Sequence, residues 1–438
     1  MLLGEKIQVI IRAGKKTRIS AVVLSCLIWL AGCELRETGY EVFDEGAETA
    51  AEPEADGLEF DASEGQNAEL EDERWSENRD PFSGEQKQKL LPEQRELIIQ
   101  YMEAYYHGLA SLKTQDMSAL FLNTAEDQLL LNESAVDYVT GLRKMQKTDL
   151  HLDDYDYELN VTAAETAGDG RTDIWITETS TQNFSQHPEI DTTLYNIVHH
   201  FELQDTADGW KIAGHLQWDS IYWNLIREYW DWDSEELVIP EAGSFLPSRV
   251  DELLAKARED MEIRSQQFNS TPKACQYEYD RVQAVAYSSQ WVGRRNEEWD
   301  DFTGRGGNCQ NFVSQCLFAG GIPMDDQGEE RWVWNGAEDY STSWVGVDDF
   351  YAYASGNLGD GLMASTDSSY YNGEEGDLIC MGSETDWNHI VMISQVVKDE
   401  QGNTVDYLIN SNTSDVRNFP VGAYPNSYQK LIKIYGWN

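Results

Sequence analysis

Basic residues are scarce in this 438-residue sequence: 32 Lys and Arg stand against 79 Asp and Glu, a formal net charge of −47. That balance excludes nucleic acid as a partner, because neutralising phosphates needs many Lys and Arg. It equally excludes broad electrostatic adsorption to an anionic membrane or wall. The apolar run at residues 19–30 is about a dozen residues long, too short for an ordinary membrane-spanning helix and suited to the core of an export signal. Cysteine is too sparse for a disulfide framework. Cys26 and Cys33 lie in or beside the export signal, which leaves Cys275, Cys309, Cys316 and Cys380, with one bridge among them left open. Histidine thins out along the chain, and His389 is the only one after His215.

The N-terminus fixes the expected compartment. Lys6, Arg12, Lys15, Lys16 and Arg18 precede the apolar run, and Leu30-Ala31-Gly32-Cys33 closes it. That ending resembles the bacterial lipobox, which implies cleavage before Cys33 and a lipid on its thiol. Residues 1–32 are therefore expected to be a lipoprotein signal peptide. The rest is exported, lipid-anchored to the cell membrane and facing the extracytoplasmic side. Residues 33–90 are acidic and poor in large hydrophobes, so they cannot offset their ordering entropy and read as a disordered, self-repelling tether.

Residues 91–233 read as an α+β middle domain. Leu97, Ile98, Tyr101, Tyr105 and Leu109 recur at helical spacing, with further helical stretches near 117–122 and 134–147. Strands follow at 155–163, 172–180, 192–203 and 210–218, separated by Gly168-Asp169-Gly170, Pro188 and Ala207-Asp208-Gly209. Helices followed by an antiparallel meander imply helices packed on one sheet face. The order resembles the cone-shaped nuclear-transport-factor-like fold. His199 and His200 are adjacent on a strand and point to opposite faces, so they cannot chelate together. With His151, His187 and His215 they could still join others at a metal, but no metal site is expected. Asp231, Asp233 and Glu235 have the first spacings of a calcium loop but lack its glycine. Trp218, Tyr222, Trp223, Tyr229, Trp230 and Trp232 form a dense aromatic patch. Helical spacing of Trp218, Ile221, Tyr222, Leu225 and Tyr229 makes it an interdomain core rather than a glycan platform. Residues 234–272 form a connector, a loop to Ser248 and then a charged amphipathic helix over 249–268.

The last domain, 273–438, carries the chemistry. A helix over 279–291 leads to Gly306-Gly307-Asn308-Cys309-Gln310-Asn311-Phe312-Val313, a glycine loop entering a helix whose first turn holds Cys309. Unpaired N–H groups and the positive helix end favour a thiolate there. A long Trp-rich, loop-like region follows to about residue 371. Strands are then expected at 376–381, at 389–393 starting with His389, and at 405–410. A thiol nucleophile needs a base, and His389 is the sole imidazole of the domain. A third residue orients that ring. Asn410 and Asn412 share a strand face, Asn412 being preferred, and Asp415 is a further candidate. For the oxyanion, the Cys309 backbone N–H is the first choice, and Asn308 and Gln310 can donate from their side chains. Asn311, Ser314 and Gln315 cap the helix or line the cleft.

From about residue 277 onward the sequence resembles the bacterial putative amidase domain family of the papain-like, NlpC/P60-like cysteine hydrolases. The resemblance rests on Tyr279-Asp280-Arg281, on residues 306–316, on Ser341-Thr342-Ser343-Trp344, on Gly376-Asp377-Leu378-Ile379 and on Trp387-Asn388-His389. The family has Asp and Thr around its cysteine where this chain has Asn308 and Gln310. It often has His where this chain has Asn412. The resemblance implies a papain-like fold, a helix-borne cysteine packed on a small antiparallel sheet. It also implies a Cys309–His389–Asn412 cysteine amidase or peptidase acting through a thioester on a cell-wall peptide or extracellular peptide. No cofactor is implied. The alternative is an exported lipoprotein whose papain-like domain only binds peptide or glycan.

Overall fold

The computed structural model describes residues 80–231, 236–237, 239, 242–268, 272–327, 331–383, 386–425 and 428–438. The signal, Cys33 and residues 34–79 of the acidic tether lie outside the described residues, as do Trp232, Asp233 and Glu235. Residues 80–90, expected to end the tether, are instead folded: a 3-10 turn spans Gly84–Gln88, and Phe82 and Leu90 are buried in the core. Among the described residues, no helix is long and apolar enough to cross a membrane.

The chain is mixed α and β around a large antiparallel sheet. Two helices come first, α1 (Pro92–Ser111) and α2 (Glu126–Met145), and then a meander, β1 (Leu152–Thr166), β2 (Arg171–Phe184), β3 (Thr192–Thr206) and β4 (Gly209–Trp218). Pro92 at the start of α1 suits an N-terminal position that needs no N–H, and Leu97, Ile98, Tyr101, Met102 and Tyr105 line its buried face. The helix expected at 117–122 does not form. Its backbone is drawn to the edge of β4 instead, where Leu122 N–H donates to Ile212 O and Ile212 N–H to Leu120 O, both at 2.9 Å.

A short helix, α3 (Ser220–Ile226), is capped by Asp219, whose carboxylate accepts from the Ile221 and Tyr222 amides. A two-residue pair, β5 (Trp230–Asp231) and β6 (Glu236–Leu237), precedes the connector helix α4 (Ala242–Arg264). The connector helix thus begins earlier than the sequence spacing implies and carries Pro247 inside it. Trp218, Tyr222, Trp223 and Leu225 pack with Leu246, Val250 and Leu253 of α4 and Leu131, Tyr138 and Leu142 of α2. The aromatic patch is therefore core, between the middle segment and the connector helix.

The C-terminal part contains α5 (Arg281–Trp291), α6 (Cys309–Ala319), the hairpin β7 (Trp334–Gly336) and β8 (Asp339–Tyr340), α7 (Thr342–Val345), α8 (Val347–Gly356) and β9 (Leu362–Ser365). It ends with β10 (Leu378–Gly382), β11 (Trp387–Lys398), β12 (Thr404–Ser411), β13 (Val416–Pro420) and β14 (Gln429–Trp437). The stretch read as a loop thus holds two helices, a short hairpin and a further strand.

Strand order in the ten-stranded sheet is β1-β2-β3-β13-β12-β11-β10-β14-β9, with β4 also on β3. The strands of the middle segment and of the C-terminal part therefore share one sheet. The junction is β13 against β3, Val416 opposite Leu194 and Arg417 opposite Thr193. One buried cluster takes side chains from both, Leu97, Ile98, Tyr105 and Phe184 with Val391, Ile409, Phe419 and Tyr424. A second fills the other side of the C-terminal strands, where Phe312, Val313 and Cys316 of α6 meet Leu378, Cys380 and Ile390.

Candidate active site

The path into α6 is made by Gly306 and Gly307, at φ 102° and 108°, values that favour glycine over any residue with a Cβ. Asn308 caps the helix by position: its carbonyl accepts from Phe312 N–H at 2.9 Å. Cys309 is the first helical residue and is 4 % exposed. Its sulfur lies against the start of β11, with the Ile390, Gln310 and Cys309 backbone N–H groups turned to it. The Ile390 N–H is available there because pairing of β11 with β12 begins only at Met392 opposite Asn410. His389, the preceding residue of β11, is 2 % exposed.

His389 is held from one side. Its Nε2 lies 2.9 Å from the Tyr424 hydroxyl and 3.2 Å from Ser411 Oγ, and its ring stacks on Tyr424 at 5.5 Å between centroids. Ser411 gives its own hydrogen to Thr413 O at 3.0 Å, so Ser411 Oγ accepts from the ring. That assigns the imidazole proton to Nε2 and leaves a lone pair on Nδ1. Nδ1 is buried and has no hydrogen-bond partner among the described residues. Tyr424 is also an electrostatic neighbour of Cys309. One phenol thus touches His389 and acts electrostatically on Cys309.

Burial governs both protonation states. It pushes the Cys309 thiol up to about 11, against the opposing pull of the Ile390, Gln310 and Cys309 amides. It pushes His389 down to about 4. The thiolate expected from the helix start is therefore outweighed by desolvation in the closed site, and the resting pair is thiol and neutral imidazole.

The other residues singled out in the sequence are placed differently. Asn412 is not a hydrogen-bond partner of His389. Its Oδ1 accepts from Asn308 Nδ2 at 2.7 Å, and its Nδ2 donates to Arg294 O at 3.0 Å and Trp291 O at 3.2 Å. Asn410 donates to Ser288 Oγ at 2.8 Å and Ser289 Oγ at 3.2 Å. Asp415 pairs with Arg295 at 3.0 Å. All three expected orienters are thus occupied elsewhere. Ser411 and Tyr424 stand at Nε2 instead. Strand period could have flagged Ser411, which alternates with Asn410 and Asn412; nothing local pointed to Tyr424.

The amide side chains around Cys309 are mostly spent. Asn308 Oδ1 accepts from Phe302 N–H and Asn311 Nδ2. Asn311 also donates to Asp300 O and accepts from Trp344 Nε1 at 3.1 Å. Gln310 donates to Ser314 Oγ at 3.0 Å, and its Oε1 is buried without a hydrogen-bond partner. Ser314 anchors Trp332 Nε1 and Trp344 O. Asn308 and Asn311 therefore act as braces of the helix entry. A cavity of about 10 Å³ behind them touches Trp291, Asn308, Phe312 and Asn412 but neither Cys309 nor His389.

The middle segment holds its own polar cluster. Glu178 accepts from Tyr106 and from His199 Nε2 (2.8 Å), His199 Nδ1 lies 3.1 Å from His215 Nε2, and His215 Nδ1 lies 2.6 Å from Asn132 Oδ1. The Asn132 amide hydrogens go to Gln128 O and His215 O, so its Oδ1 accepts from His215. His199 thus bridges Glu178 and His215 through its two ring nitrogens. Burial first, then the neighbouring His199 and His200, hold His215 well below the usual imidazole range. The chain is saturated and buried, so it braces the core. On the other face, Asp173, His200 and Glu202 bring possible ligand atoms within 4.8 Å of one another, a cross-strand grouping invisible to a reading along the chain.

The C-terminal part is similar in sequence to known proteins. Residues 278–436 match the model of the family described as "Putative amidase domain". Over 146 residues the chain is 35% identical to "Uncharacterized protein YhbB" of Bacillus subtilis (strain 168), a match covering 32% of this chain and 43% of that protein. The chain thus spans less than half the length of that relative. Among solved structures, the intermembrane space region of the chloroplast protein ARC6 aligns with 28% of this chain and 92% of its own, at 17% identity and a TM-score of 0.20. That score carries no argument about the cone-like fold. The amidase match points to an amide hydrolase.

Proposed function

We propose that this chain is an exported, lipid-anchored cysteine amidase of papain-like layout, cutting an amide bond in a cell-wall peptide or extracellular peptide. What supports the reading is that the only histidine of the matched region, with a buried Nδ1 that has no hydrogen-bond partner among the described residues, directly precedes Ile390, whose backbone N–H acts on the helix-first Cys309. Cys309 attacks the amide carbonyl carbon as its proton passes to His389 Nδ1. The oxyanion forms at the head of α6, where the Cys309 and Gln310 N–H groups already turn to the sulfur. His389 then protonates the leaving amine, giving a thioester. Water activated by the same nitrogen cleaves it and restores the thiol. Ser411 and Tyr424 keep the Nε2 proton in place throughout, the role first assigned to Asn412. Cys33 supplies the anchor, and residues 33–79 the spacer from the membrane.

A closed, neutral pair also favours a second reading, a binding module in which Cys309 is only core. Incubation with a panel of wall fragments and peptides separates the two. An amidase releases an amine, gives a hydroxylamine-sensitive acyl adduct on Cys309, and loses both in a folded Cys309→Ala variant. Full hydrolysis by Cys309→Ala would sink the cysteine mechanism, and binding with no release or adduct would support the module.

A further inference from the structure

We infer that the middle segment is a working part of the active site, with Tyr138 and Asn224 as positioning residues for His389. The inference rests on the reading of Cys309 and His389 as the reacting pair and gives the middle segment a task. The stretch 412–425 reaches both members of that pair. At one end Thr413 Oγ1 accepts from the Asn308 N–H at 2.5 Å, next to Cys309, and at the other Tyr424 meets His389 Nε2 at 2.9 Å.

The middle segment grips this stretch on both sides. On the nucleophile side, β3 donates Tyr195 N–H to Asp415 O at 2.9 Å and pairs Leu194 and Thr193 with Val416 and Arg417. On the base side, Tyr138 of α2 and Asn224 of α3 both donate to Pro425 O, at 2.9 and 3.0 Å. Pro425 follows the Tyr424 that touches the imidazole. Two side chains from different helices thus converge on one carbonyl a single residue from the base's support.

The gripped stretch is not relaxed. Thr413 sits at φ 115° and Ser414 at φ 49°, and positive φ is costly for a β-branched residue. Such a conformation persists only where its surroundings over-determine it. Here the restraints are Thr413 N–H to Asp415 Oδ1 at 2.8 Å, Ser411 to Thr413 O, and the β3 contacts. Loosening the Pro425 end frees Tyr424, and the His389 ring loses both its stacking surface and one acceptor for Nε2–H.

The test uses the full chain with 13C-labelled histidine, the His389 signal assigned by its loss in His389→Gln. Tyr138→Phe, Asn224→Ala and the double variant are compared with Tyr157→Phe. That control deletes a hydroxyl bond to Glu103 elsewhere in the same segment. The double variant is expected to move the His389 titration midpoint upward. Its kcat for amide hydrolysis falls about tenfold with KM within about twofold, the single variants lying between. Tyr157→Phe changes neither at a matched loss of thermal stability. A folded double variant with an unmoved His389 signal overturns the inference, as does an equal response in Tyr157→Phe. If the wild type cleaves no amide while His389 still responds to the double variant, the hydrolase reading fails and the positioning stands.

Discussion

In the proposed reaction the chemistry of His389 turns on Ser411 and Tyr424, since they alone among the described residues meet its Nε2. Ser411→Ala together with Tyr424→Phe leaves the Nε2–H without an acceptor, frees the ring to invert its tautomer, and is expected to lower kcat about 10²-fold. Each single variant retains one acceptor and loses less. Asn412→Ala should instead cost about 1–3 kcal/mol of stability, because Asn308 Nδ2 and two carbonyls lose a buried partner. Kinetics on folded variants beside urea melts separate these two signatures. The pH profile of stability follows from His389. Its folded value of about 4 lies below the ordinary 6.5, so the unfolded chain takes up the proton first. Stability held by the neutral ring is complete above 6.5 and is lost as pH falls towards 4. The margin of wild type over His389→Asn should therefore shrink by about 3 kcal/mol across that window, read from urea unfolding at fixed pH values. The proposed reacting residues, Cys309 and His389, could be singled out along the chain by rarity and context. The orienting pair was not, because Tyr424 arrives from a segment with no helical or alternating pattern, set by partners far away in sequence.

Helix α6 shows how an element is fixed at both ends. Its start depends on the asparagine braces, and its end on Gly320, where a Cβ would meet Tyr279 Cε2 at 2.3 Å and Asp280 O at 2.9 Å. Asp280 N–H donates to Gly320 O at 2.9 Å, so α5 and α6 touch by backbone there. Gly320→Ala is expected to destabilise by about 1–3 kcal/mol and to lower activity through displacement of Cys309, measurable by thermal melting and turnover together. Elements with a periodic apolar face, α1, α6 and the meander strands, could be read along the chain; α5 could not be oriented that way, since Val282 is exposed and Ala284 and Ser288 are its buried residues. Those that could not are held by tertiary pairing. Residues 117–122 have helical spacing, yet the edge of β4 claims their backbone. Strand β13 has no alternation of its own and exists because β3 and β12 lie on either side.

At the scale of the whole molecule, the boundary near residue 272 divides the sequence but not the sheet. Cutting there removes the partners of buried and partly buried rings. Phe419 loses Phe184 (5.9 Å), Tyr370 loses Arg264 (5.1 Å), and Tyr371 loses Lys147 (4.7 Å). It also removes the β3 edge and both donors to Pro425. Uncovering a large apolar side chain forfeits about 1.5–3 kcal/mol, so three or four such losses approach the roughly 5–15 kcal/mol that holds an average domain together. A fragment of residues 272–438 is therefore expected not to reach the native state alone, although it contains the entire matched amidase region. A chain beginning near residue 80 should melt cooperatively, while the fragment gives a broad transition and binds a hydrophobic dye. A sharply melting, active fragment would mean that the amidase region carries its own core and that the shared sheet is only a docking contact.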